Sequence, residues 1–91
     1  MSDSVFDVLD AIDSRGEENL PAPADRIKWK LSKYDHLDFI DALEECIKLG
    51  YVDTRRLPLT LEEQTPNYMV RGLTSRGRTA LHSMRQHKQN R

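Results

Sequence analysis

The stretch LGYVDTRRLPLTLEEQTPNYMVRGL, Leu49–Leu73, runs directly into TSRGRTAL, Thr74–Leu81. YVDTRRL and NYMVRGL have the β-branched and aromatic content of strands, and Pro58 and Pro66 limit the ladder near the tip, which predicts a hairpin. Gly50 in front of it is a helix stop, and Thr74 behind it is a helix N-cap. The hairpin therefore lies between two helices. Within the second of these, Gly77 carries a propensity cost of ~1 kcal/mol, which is justified if the helix backbone must approach the sheet closely there.

Working outward, Asp35 is an N-cap for the helix that ends at Gly50, with Asp38 three positions on. Phe39, Ile40, Ala42, Leu43, Cys46, Ile47 and Leu49 fill one half of its wheel. Asp38, Asp41, Glu44, Glu45 and Lys48 fill the other, with Leu37 among them. Before it, LPAPADRIKWKLSK predicts a helix over about 23–32, since a proline is tolerated at a helix start. Ala24, Ile27 and Leu31 point inward from it, while Arg26, Trp29, Lys30 and Lys33 fall outside. Residues 4–14 predict a first amphipathic helix with Val5, Val8, Leu9 and Ile12 on one face and Asp3, Asp7 and Asp10 opposite. After Thr74 the pattern predicts a last helix over about 75–88, with Gly77, Ala80, Leu81 and Met84 inward and Arg78, His82 and Arg85 along an edge. Leu43, Ile47, Val52, Leu73, Leu81 and Ile27 are the expected shared core.

The order helix, helix, helix, hairpin, helix resembles the winged helix-turn-helix family, particularly small bacterial and phage-type members. Leu49, Gly50, Tyr51 and Val52 match the family's Leu-Gly-Tyr/Leu-Val/Ile signature before the wing. Leu73, Thr74, Gly77 and Leu81 match its Leu-Thr-x-x-Gly-x-x-x-Leu signature after it. The resemblance covers about residues 23–85. It implies an α+β fold, a single winged-helix domain over 1–91 made of three helices, a two-stranded wing and a C-terminal helix, with 86–91 a frayed basic tail. It also implies a small DNA-binding, transcription-regulator-like protein.

Composition narrows the functional classes. Ninety-one residues, 37% apolar and 32% charged, give one core and no second domain. No apolar run approaches the ~20 residues of a membrane span, and the N-terminus lacks the pattern of a signal peptide. One cysteine forms no internal disulfide and fits a reducing cytoplasm. There is no Gly-rich phosphate loop, nucleophile elbow or His-Glu-x-x-His, so no catalytic residue, cofactor or metal site is expected. Cys46 is read as a small core hydrophobe. His82 and His87 are too awkwardly spaced on one helix to form a metal pair.

The net charge of −1 hides segregation: residues 1–20 carry −5, 21–34 carry +3, 35–50 carry −4, 51–70 carry −1 and 71–91 carry +6. The third helix, which enters the major groove in most winged helices, here presents four acids to solvent, a departure from that docking mode. Binding to double-stranded DNA would instead use Arg26, Trp29, Lys30, Lys33, Arg55, Arg56, Arg71 and Arg78, mainly on phosphates. Trp29 has a second reading, packed under a loop or beside the first helix, which is the commoner fate of a lone Trp. The alternative function is a protein-interaction module, an adaptor or inhibitor, using Asp38, Asp41, Glu44 and Glu45 with the apolar wing tip Leu57, Leu59 and Leu61. That tip, or the terminal helices, could also join two copies in a homodimer. Arg78 and Arg85 could pair with the acidic stripe of the first helix, adding little if exposed.

Overall fold

The computed structural model describes residues 3–58 and 67–89. The chain forms a small α+β fold: α1 Asp3–Arg15, a single 3₁₀ turn at Glu17–Asn19, β1 Ala22–Pro23, α2 Ala24–Lys28, α3 His36–Lys48, β2 Val52–Leu57, β3 Asn67–Leu73 and α4 Ser75–Gln89. The sheet is antiparallel, three-stranded and ordered β1-β3-β2.

α1 is the central helix. Val5, Val8, Leu9 and Ile12 are fully buried and meet Phe39, Leu43 and Cys46 of α3, Ile27 of α2, Val70 of β3 and Leu81 of α4 in one cluster. Of the expected core, Leu43, Val52, Leu81 and Ile27 are buried, while Ile47 and Leu73 pack against its edge half-covered. Asp35 caps α3 by accepting the Asp38 N–H at 2.8 Å. At the other end Gly50, at φ 79°, closes a Schellman motif: Tyr51 N–H donates to the Cys46 carbonyl and Gly50 N–H to the Ile47 carbonyl, both at 3.0 Å.

The second helical segment departs from the expectation. Its first residue, Pro23, lies in β1 instead, where Ala22 stands opposite Val70 and Pro23 opposite Met69, so the sheet has three strands rather than two. Flanking prolines favour extended backbone at Leu20 and Ala22, and Pro23, without an N–H, fits only an edge strand. α2 is then five residues long, and the chain leaves it through turns in which Lys30 N–H meets the Ile27 carbonyl at 3.2 Å and Leu31 N–H the Lys28 carbonyl at 2.7 Å. In the hairpin, the register shifts between Asp53 and Thr54, leaving Arg71 as the extra residue of a bulge. α4 continues through Gln89, so residues 86–89 of the expected tail are helical.

α4 is seated by its first turn. Thr74 N–H donates to the Tyr51 carbonyl at 3.0 Å, and its hydroxyl donates to the Gly50 carbonyl at 2.6 Å while accepting the Gly77 N–H at 3.0 Å. A Cβ on Gly77 would lie 2.0 Å from the Tyr51 carbonyl oxygen and 2.8 Å from its carbon. In an open helix Gly→Ala gains up to ~1 kcal/mol. Here the clash is with backbone, and Gly77→Ala is expected to destabilise by ~1–3 kcal/mol in urea or thermal melts. A stabilised variant would refute this contact.

Candidate functional site

Among the described residues, exposed charges without an ion-pair partner gather on the face made by α2, its following turn and α3, and on the β2 edge of the hairpin. On the first, Arg26 of α2 and Trp29 and Lys30 of the turn that follows it are exposed. Trp29 is 78% exposed, so the packed reading of its ring is wrong. The reason is geometric: α2 ends at Lys28, and its short apolar side is already filled by Ala24 and Ile27. His36 Nδ1, in the first turn of α3, lies 3.8 Å from Asp25 Oδ1 of α2. Leu37, the next residue of α3, is 59% exposed. Trp29 and Leu37 are the exposed large hydrophobics among the described residues.

Along α3, Asp38, Asp41 and Glu45 line a shallow notch of about 310 Å³, closed by Tyr34, Ala42 and Ser4. Tyr34 is held there because its hydroxyl donates to Asp7 Oδ2 at 2.7 Å, while Lys33 Nζ sits 3.0 Å from the same oxygen. None of the three acids has a basic group within ion-pairing distance among the described residues. Glu44 lies to the other side and accepts the Tyr68 hydroxyl at 2.9 Å. Burial and Glu44 raise the Tyr68 pKa above its ordinary 10.0.

The hairpin arginines do not form one patch. Arg55 stands opposite Met69 and Arg56 opposite Tyr68, so alternation places them on opposite faces of the sheet. Both are exposed, and neither has an acid within ion-pairing distance among the described residues. Leu57 is half-buried, and Leu59 and Leu61 lie outside the described residues.

The remaining expected bases are engaged inside the molecule. Lys33 is on Asp7, Arg71 Nε lies 3.9 Å from Asp53 Oδ2, and Arg78 Nη2 donates to Glu17 Oε1 at 3.1 Å. Arg85 bridges α4 to α1, donating to Asp10 Oδ1 at 2.6 Å and Asp13 Oδ2 at 3.0 Å, and these bonds raise its already high pKa. The cleft of about 270 Å³ between α1, β3 and α4 is lined by Asp13, Glu17, Asp53, Arg71 and Arg78, all in these pairs, and so offers little unmatched charge. Cys46 is fully buried, and burial, reinforced by nearby Glu45, pushes its thiol up to about 12, leaving it unreactive. Among the described residues no cluster of three or more His, Cys, Asp or Glu could hold a metal, and no helix is long and apolar enough to cross a membrane.

Sequence reasoning missed Tyr34, Tyr68 and His36, which position the acidic face. Their partners lie 27, 24 and 11 residues away, beyond any local pattern. Comparison of the chain with protein-family models, curated proteins and solved structures finds no match.

Tyr68 gives this face a pH signature. Because its folded pKa is raised, its stabilising contribution is complete below pH 10.0 and is lost as pH rises through the folded value. Tyr68→Phe is therefore expected to be less stable by ~1 kcal/mol at neutral pH and to lose less stability above pH ~10, so the two curves converge. Parallel curves in denaturant titrations across that range would contradict this.

Proposed function

We propose that this chain is a winged helix-turn-helix module, non-enzymatic, whose α2–turn–α3 face docks a basic protein surface. Support for the winged-helix reading comes from the element order, from the sheet order β1-β3-β2, and from the corner where Gly50–Tyr51 receives Thr74 and Gly77. Support for docking protein rather than a DNA groove rests on one observation: Asp41 and Glu45 stand exposed on the outer face of α3, next to exposed Leu37, with no ion-pair partner among the described residues. In a groove every side chain lies within a Debye length, ~10 Å at ~0.1 M salt, of phosphates, so these carboxylates would oppose insertion. Against a basic protein surface the same acids steer association and fix register, while Leu37 and Trp29 supply apolar area.

A second reading, DNA binding of the transcription-regulator kind through the wing, is favoured by Arg55 and Arg56 on β2, which are exposed and have no ion-pair partner among the described residues. Fluorescence anisotropy separates the two, using a Lys/Arg-rich peptide and a DNA duplex as probes at low salt. Docking through α3 is expected to give peptide binding that falls about tenfold in Asp41→Asn with Glu45→Gln and is unchanged in Arg55→Ala with Arg56→Ala. The opposite result supports the wing: duplex binding that tightens when the acids are neutralised and loses ~0.9 from its salt slope per lost arginine contact.

A further inference from the structure

The docking face carries both signs of charge side by side. Residues 21–34 hold +3 and residues 35–50 hold −4, and the Asp25–His36 contact joins the two segments. Arg26 and Lys30 project on the α2 side without acidic partners, and Asp41 and Glu45 project on the α3 side without basic ones, among the described residues. Trp29, in the basic segment, and Leu37, in the acidic one, are the exposed large hydrophobics among the described residues. A surface with a basic half and an acidic half, each carrying an exposed apolar side chain, is self-complementary: turned by a two-fold axis through its centre, each half meets the opposite charge of the other copy. An isologous dimer requires this arrangement.

We propose that the occupant of this face is a second copy of the chain. In the dimer, Arg26 and Lys30 of each protomer enter the notch formed by Asp38, Asp41 and Glu45 of the other. Trp29 and Leu37 meet their counterparts near the axis and leave water. The notch, at about 310 Å³ and walled on one side by the Tyr34 ring, accommodates the aliphatic stem of a lysine or arginine with its charge among the carboxylates. The inference rests on the docking reading of the same face and specifies its partner. It places the homodimer interface on the helix-turn-helix rather than on the wing tip or the terminal helices.

The test is a charge exchange followed by sedimentation, with the chain's single tryptophan as an internal reporter. One variant carries Arg26→Glu with Lys30→Glu, and the other carries Asp41→Lys with Glu45→Lys. All four positions are exposed, and circular dichroism checks that each variant keeps its helices. The wild type is expected to be a dimer at low salt that dissociates as salt screens the contacts. Each variant alone sets like charges against each other and is expected to dimerise at least ~100-fold more weakly. Mixed in equal amounts, the two variants regain opposite charges at both contacts and are expected to form a heterodimer, with Trp29 emission shifting to the blue.

A wild type that stays monomeric, a dimer that survives in both variants, or a mixture that fails to pair would each overturn the proposal. The peptide probe separates this failure from that of the docking reading. A monomer that still binds the Lys/Arg-rich peptide through Asp41 and Glu45 loses self-pairing only; one that binds neither loses both.

Discussion

The backbone carbonyl of Tyr51 is the point on which the arrangement depends. It accepts the Thr74 N–H, and it lies so near the Gly77 Cα that no side chain fits between them. α3 ends one residue earlier in a left-handed glycine, β2 begins one residue later, and α4 is seated on the same corner by Thr74. Three elements are thereby locked within a few residues of one another. With α4 so placed, Leu81 reaches the core from one side while α1 fills the centre. α3 then lies with its apolar half against α1 and its acidic half turned to solvent.

That geometry also sorts the charges. α4 runs alongside the acidic C-terminal half of α1, and Arg78 and Arg85 find Glu17, Asp10 and Asp13 there. Pairs this exposed contribute at most ~1 kcal/mol each to stability. Their larger effect is on the surface field, because the most basic segment of the sequence is partly neutralised by the most acidic one. Among the described residues, much of what is left unmatched lies on α2 and its turn, on α3 and on β2. The strongest contrast is across the α2–α3 face, where the proposed contact sits.

Much of this was legible because it is written in local patterns. The Asp35 cap, the Gly50 stop and the Thr74 cap each depend on residues within a turn of one another, and the structure has all three. Gly77 was marked only by its cost to the helix, since the Tyr51 carbonyl it approaches lies across the hairpin. The apolar stripes of α1 and α3 point as their periodicity requires. β1 escaped detection because two residues have no periodicity; only its pairing with β3, nearly fifty residues away, makes it a strand. The length of α2 was overestimated for a related reason, since Leu31 continues the helical spacing although the backbone has already turned. For the candidate site, the acids of α3 were plain on the helical wheel. Which bases remain free was not, because Lys33, Arg71 and Arg78 are claimed by acids that the fold alone brings near, Asp53 included, since it meets Arg71 only across the bulged hairpin.

The central claim is that contact is made by the α2–turn–α3 face and not by insertion of α3 into a nucleic-acid groove. Residue-resolved NMR tests it most directly, with backbone and Trp29 indole shifts followed through a dilution series and then through addition of a DNA duplex at low salt. The expected result is that dilution moves Trp29, Leu37, Asp41 and Glu45 together along a single binding curve, while the duplex leaves α3 and β2 unmoved. Shifts at Arg55, Arg56 or along α3 on adding duplex, with no change on dilution, would contradict the account.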